Sequence, residues 1–211
     1  MMPSPMSAIS ILPSCRCARS GRTIALMICS MLVACTTGFD MSGERIPPPG
    51  PEWGVVIGSV LVHPEADQTG AVPATRNPAT YSFDVVQIQP GDPDGTRPYA
   101  QQYELSTKSG EERPFVSRLR PGQYLVRSFH KTSMAGLGGD LNVVFSVEPG
   151  EVRYVGRLNV EIPFSLSRGK DYRFRIDNVR AQTFSLLPKE HVDLATGAMD
   201  SPMQVRTVQT P

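Results

Sequence analysis

The chain has 211 residues, 40% of them hydrophobic, with 20 prolines, 18 glycines and a formal net charge of +1. That length fits one domain with tails, and the proline and glycine content fits a turn-rich β protein better than a helical bundle. Three basic residues, Arg16, Arg19 and Arg22, precede Cys35 and no acidic residue does, so the remainder carries 18 basic against 20 acidic side chains. Nucleic acid, which asks for a clustered basic surface, is not supported as a partner.

The four cysteines, Cys15, Cys17, Cys29 and Cys35, crowd the N-terminal part of the chain. The Cys15–Cys17 pair lacks the second pair and the histidine that a four-ligand zinc site needs. Arg16, Arg19 and Arg22 are followed by a twelve-residue apolar run, residues 23–34 (TIALMICSMLVA). A transmembrane helix needs about 20 such residues, so the run reads as the apolar region of a signal peptide behind its positive start. It ends in Leu32-Val33-Ala34-Cys35, which resembles the lipobox of bacterial lipoproteins. That resemblance implies that residues 1–34 are a lipoprotein signal peptide, with Leu32, Val33 and Ala34 as the signal-peptidase box and Cys35 as the lipidated residue. The expected anchor is a set of palmitate-like chains, each buried methylene contributing about 0.8 kcal/mol. Thr36, in place of an Asp, implies outer-membrane sorting under the enterobacterial rule, with the domain facing the periplasm. With Cys35 as its only cysteine, the mature domain is expected to fold without a disulfide.

Residues 35–52, ending in a Pro-Pro-Pro-Gly-Pro run, read as a lipidated N-terminus and proline-rich tether, extended at about 3.1 Å per residue. From Trp53 onward short strand patterns alternate with turn signals. Residues 53–62 (WGVVIGSVLV) are apolar on both faces, as in a central strand, with Gly54 and Gly58 marking a bulge or a close contact. In residues 81–89, Tyr81, Phe83 and Val85 share a face, with Ser82 and Asp84 opposite. Residues 99–106 and 114–119 are weaker strand candidates and 124–130 a strong one. Leu141, Val143, Phe145 and Val147 share one face of the next strand, and Val152, Tyr154, Gly156 and Leu158 one face of the strand after it. Tyr172, Phe174 and Ile176 oppose Arg173 and Arg175, as in a strand with one wet side. Pro121-Gly122 and Pro149-Gly150 occupy central turn positions, where glycine supplies the positive φ of a type II turn. Residues 179–192 read as a short helix or irregular segment docked by Phe184, Leu186 and Leu187, because Pro188 interrupts any long helix. Residues 193–211 read as a disordered tail. The expected fold is all-β, a single antiparallel β-sandwich of prealbumin-like or Ig-like type over residues 53–192.

The order of LRPGQYLVRSF (119–129), FSVEPGEVRYVGRL (145–158) and DYRFRIDN (171–178) resembles a group of bacterial lipoproteins of uncharacterised function. These carry one prealbumin-like or carboxypeptidase-regulatory-like β-sandwich. The matching motifs cover about 60 residues and are turn and core signatures. The resemblance implies a fold and brings no catalytic residue with it.

Candidate chemistry is sparse. His63, His130 and His191 lie far apart without metal-ligand spacing, and His63 and His130 read as solvent-facing. No Gly-x-Ser-x-Gly elbow occurs. The glycine-rich stretch 134–140 lacks Gly-Lys-Ser/Thr and reads as a flexible hairpin loop. Asp92 and Asp94 alternate as at the start of a calcium loop, but the remaining ligands are missing and Asp-Pro-Asp-Gly is a turn in its own right. Arg168, Lys170, Arg173, Arg175 and Arg180 form the densest basic stretch, read as a wet sheet face with a patch for acidic partners or lipid headgroups as the sharper alternative. A hydrolase would need His130, Asp140 or Glu148, and Ser128 or Ser133 to converge. The expectation is a non-enzymatic binding module without cofactor or metal, anchored by N-terminal acyl chains and partnered by an envelope protein or the cell wall. The alternative is a module for glycans or small ligands.

Overall fold

The computed structural model describes residues 37–64, 78–97, 101–133, 138–162 and 172–207. In chain order the elements are β1 (Thr37–Gly38), β2 (Gly54–Pro64), β3 (Thr80–Gln87), β4 (Gln102–Lys108), β5 (Arg113–Leu119), β6 (Gly122–Lys131), β7 (Gly138–Val147), β8 (Val152–Ile162) and β9 (Arg173–Asp177). Then come α1 (Arg180–Ser185), a 3₁₀ turn (Lys189–His191), α2 (Val192–Thr196), β10 (Met199–Asp200) and β11 (Gln204–Val205). One sheet runs β1-β4-β3-β6-β7-β11; the other runs β10-β8-β2-β5, with β9 also on β8. The architecture is the expected all-β sandwich. It departs from a purely antiparallel plan at its centre, where β2 and β8 run parallel.

Alternation builds the core. Tyr81, Phe83 and Val85 from β3, and Leu141, Val143, Phe145 and Val147 from β7, all turn inward to meet Val56, Val60 and Val62 of β2. Tyr172, Phe174 and Ile176 pack against the same cluster while Arg173 and Arg175 stay exposed. In β8 the expected single face is broken. Val152 and Tyr154 face outward, whereas Val155, Leu158, Val160 and Ile162 face the interior. The cause is a bulge: the register slips between Ile57 and Ser59 of β2, and Gly156 takes φ 88°. One extra residue exchanges the faces of everything that follows. Gly58 lies opposite, where a Cβ would come within 2.6 Å of the Phe115 ring and 2.9 Å of the Gly156 carbonyl.

The two Pro-Gly turns differ. Gly150 takes φ 76°, as a type II turn requires, and the Glu151 amide reaches the Glu148 carbonyl at 3.5 Å. Gly122 takes φ 146°, a different glycine conformation. Beside it the Tyr124 hydroxyl donates to the Arg120 carbonyl at 2.9 Å, the tie known as a tyrosine corner in Greek-key sandwiches.

The expected tether is corrected for the part that is described. Residues 37–46 run up the open side of the sandwich between β4 and β5. The Phe39 amide donates to Glu104 of one sheet (3.0 Å) and the Met41 amide to Val116 of the other (2.8 Å). The Ser117 hydroxyl donates back to the Phe39 carbonyl, and Arg113 grips Asp40 at 2.8 Å. The Phe39 ring enters the core against Tyr103, Phe115 and Phe145. A segment that stitches two sheet edges and buries an aromatic ring cannot serve as a free spacer. Ile46 then packs on the outer face of the second sheet.

The expected disordered tail is corrected in the same way for residues 193–207. Ala195 and Ala198 join an outer cluster with Val55, Ile57, Val116, Tyr154 and Leu187. Beyond them the chain closes the opposite side of the sandwich: Ser201 and Met203 amides donate to Tyr154 and Val155 of β8, and β11 pairs with β7. Met203 plugs the core. Residues 208–211 lie outside the described residues. Leu186, expected to dock the helical segment, is 45% exposed; Phe184 and Leu187 do that work.

Candidate functional site

The most connected polar constellation lies on the outer face of the second sheet. The β8 bulge turns Arg157, Asn159 and Glu161 outward, β9 brings Arg175 and Asp177 alongside, and α1 lowers Gln182 and Thr183 onto them. The turn before β5 delivers Glu112, whose side chain is 7% exposed. Its carboxylate accepts from Ser59 Oγ (2.7 Å), Gln182 Nε2 (2.6 Å), Thr183 Oγ1 (3.4 Å) and Arg157 (3.1 Å). The other arm of Arg157 donates to Asp177 at 3.0 Å, and Asp177 also accepts from Asn159 (3.1 Å) and Arg175 (3.2 Å). Burial opposes the Asp177 charge, but Asn159, Arg157 and Arg175 outweigh it and hold the carboxyl below the usual carboxylate range. Arg157 is likewise raised, its two carboxylates outweighing the cost of burial. Arg157 Nε and Asn159 Oδ1 are buried without a hydrogen-bond partner among the described residues.

This arrangement fastens α1 to the sheet. The Ser59 hydroxyl donates to a carboxylate already engaged by a guanidinium, so nothing there raises its nucleophilicity, and no imidazole joins the group. A neighbouring cleft of about 310 Å³ is lined by Thr80, Lys108, Glu111 and Arg113 as well as Glu112; both Glu112 oxygens are taken by the network.

The residues singled out from the sequence are dispersed. Cys35 and the box Leu32, Val33, Ala34 lie outside the described residues, as do Arg168 and Lys170. His63 and His130 are exposed on strand ends. His191 is fully buried, its Nε2 2.9 Å from the Ser42 carbonyl. Since a carbonyl only accepts, Nε2 carries the proton and donates, and Nδ1 has no partner among the described residues. Ser128 Oγ donates to Asp84 at 2.7 Å and stands in register with Asp140, both on β-sheet surface. His130 bonds neither of them, Ser133 is exposed in a turn, and Glu148 lies at the opposite end of the sandwich.

Asp92 is buried and ties its own loop, accepting from the Thr96 amide (3.0 Å), Thr96 Oγ1 (3.1 Å) and the Arg97 amide (3.0 Å). These donors, the Arg97 amide foremost, hold it below the usual carboxylate range. Asp94 pairs with Arg206. Among the described residues no group of three or more His, Cys, Asp or Glu side chains is placed to hold a metal ion. Gly138 and Gly139, expected in a flexible loop, belong to β7, where a Cβ on either would strike Phe129 or Tyr172. The basic stretch is also reduced: Arg175 pairs with Glu161 and Asp177, and Arg180 with Asp200.

Comparison with known proteins gives little more. No family model matches the chain, and no curated protein matches it. Two solved structures show a faint likeness. A leucine-rich repeat protein from Bacteroides thetaiotaomicron is 15% identical over 53% of this chain, with a TM-score of 0.29. This chain spans only 14% of that protein's length. The T6SS lipoprotein TssJ1 from Pseudomonas aeruginosa is 15% identical over 61% of this chain and 98% of its own, again with a TM-score of 0.29. Likenesses this distant carry neither a fold nor a function across.

One feature of the surface was not anticipated. Trp53, the only tryptophan, is half-buried beneath two guanidiniums, Arg118 at 4.7 Å and Arg120 at 5.6 Å from its ring centre. Its carbonyl accepts from the Gly150 amide at 3.1 Å. The sequence signal, a tryptophan before one strand and two arginines, Arg118 and Arg120, astride the end of another, is visible only once β2 and β5 are known to pair.

Proposed function

We propose that the chain is a bacterial lipoprotein, anchored in the cell envelope through acyl chains on Cys35. Its prealbumin-like sandwich is then a non-enzymatic binding module for another envelope protein or the cell wall. The observation that carries the reading is Leu32-Val33-Ala34-Cys35 at the end of a twelve-residue apolar run, two residues before β1 begins. An outer-membrane address and a periplasmic face follow from Thr36 under the enterobacterial rule. Among the described residues no helix is long and apolar enough to cross a membrane.

The binding reading is supported by where the charges go. Glu112, Arg157, Asp177, Arg175 and Arg180 are spent on one another or on local carbonyls, and the Ser59 and Ser128 hydroxyls, which donate to Glu112 and Asp84, bond no imidazole among the described residues. The interior void, bounded by apolar side chains that include Phe39 and Met203, measures about 10 Å³, too small for a ligand larger than water.

The test is metabolic palmitate labelling and membrane flotation of the wild-type protein beside Cys35→Ser, followed by photo-crosslinking in intact cells from exposed positions on both sheets. Label and flotation that vanish in the variant, with a discrete crosslinked envelope partner, are the expected result. Unlabelled wild-type protein would overturn the anchor, and turnover of an envelope substrate by the purified protein would overturn the non-enzymatic role.

A further inference from the structure

Register places Thr37, where the described chain begins, and the Trp53 cluster at the same end of the sandwich. β1 runs parallel to β4 with Thr37 opposite Tyr103, so Thr37 lies at the end of the sandwich where β4 starts. That is also the end at which β3 and β5 finish and β2, β6 and β8 begin. Cys35 is two residues before Thr37 and so no more than about 7 Å from it along the chain. The Tyr103 ring lies 6.1 Å from that of Tyr124, whose hydroxyl donates to the Arg120 carbonyl, which sets Arg120 at the same end as Thr37. Across the same end lie Trp53, Arg118 and the turn of Pro149 and Gly150.

The formal charges here sum to zero, Arg118, Arg120 and Arg153 against Glu52, Glu148 and Glu151, but their pairing is uneven. Glu148 and Glu151 are engaged by Arg153. Arg118 and Arg120 have no carboxylate partner among the described residues and lean on the Trp53 ring instead; Arg118 Nε is buried without any partner. Glu52 is exposed beside Trp53. An indole held half-open between two cations matches a bilayer interface. Tryptophan partitions to headgroup level, and guanidiniums are drawn to anionic headgroups.

We propose that this end of the domain lies on the bilayer, with Trp53 at headgroup level and Arg118 and Arg120 on anionic lipid headgroups. The acyl chains then orient the sandwich as well as retain it, and the β4–β5 turn faces away from the membrane. The proposal rests on the lipoprotein reading. It departs from the expectation of a long tether, because residues 37–46 are consumed in the fold.

The single tryptophan makes the test direct. Purified acylated protein is reconstituted in vesicles of phosphatidylethanolamine with phosphatidylglycerol, with intact mass and flotation recorded first. Trp53 emission is then quenched from the bilayer by a lipid spin-labelled near its headgroup and from the water by acrylamide. The expected result is strong lipid quenching and shielding from acrylamide. The Arg118→Gln/Arg120→Gln variant should still float, but its docked-to-undocked ratio should fall about twenty-five-fold, roughly fivefold per arginine. Protein that is acylated and floats yet leaves Trp53 as open to acrylamide as in detergent-free solution overturns the docking and leaves the anchor standing. Protein without acyl mass on Cys35 overturns both.

Discussion

Glu112 and Phe39 show how much of the stability is concentrated in single side chains that obey no sequence period. Glu112 is the common acceptor for Ser59, Thr183, Gln182 and one arm of Arg157. Removing one partner of a buried ion pair strands the other charge, which costs about 3–5 kcal/mol. Glu112→Ala is therefore expected to lower stability by about 3 kcal/mol, the low end because Asp177 still holds Arg157, with α1 the first element to lose amide-exchange protection. Phe39→Ala removes a ring that touches Tyr103, Phe115 and Phe145. A loss of about 3–5 kcal/mol is expected for such a substitution, readable as a drop in the urea midpoint. A change below about 1 kcal/mol would mean that residues 37–46 contribute little to the fold.

At the scale of elements, strands β2 to β9 were legible because each carries a continuous apolar run, an alternating pattern or a Pro-Gly turn that fixes its end. The segments that close the sandwich were not. Residues 37–46 and 198–206 offer one plug each, Phe39 and Met203, among polar neighbours, and their affinity for the sheets comes from backbone amides that leave no trace in composition. The parallel pairing of β2 with β8 is likewise a property of topology, as is the joining of Glu112, Arg157 and Asp177 from positions far apart in the chain. The β8 bulge misled a period-of-two reading because Gly156 carries no side chain to reveal the slip. The lipobox lies outside the described residues, and the Trp53 cluster required the β2–β5 register. If the C-terminal strap matters as its bonds imply, ending the chain after Pro202 should expose the edges of β7 and β8 together. Faster exchange at amides of both strands, with a lower melting temperature, is the expected result; unchanged exchange would show that β11 and Met203 are passengers.

At the scale of the whole molecule, two depressed carboxyls in different parts of the fold set its response to acid. Asp92 organises the loop after β3 through the Arg97 and Thr96 amides, and Asp177 lies between Arg157, Asn159 and Arg175 beneath α1. Each releases its proton at lower pH in the folded chain than in the unfolded one. Such a group stabilises the fold fully above its unfolded value, about 3.9, and that contribution drains away as pH falls through the folded value. Melting temperature should therefore be flat from neutrality down to about pH 5 as far as these two groups are concerned, then decline steeply through pH 4 and below. Asp177→Asn should melt lower than wild type at pH 7, because Arg157 and Arg175 each lose a charged acceptor. Its deficit should shrink as the wild-type carboxyl itself becomes protonated, so the two curves converge in acid. Parallel curves across the whole range would show that Asp177 acts through packing and not through its charge.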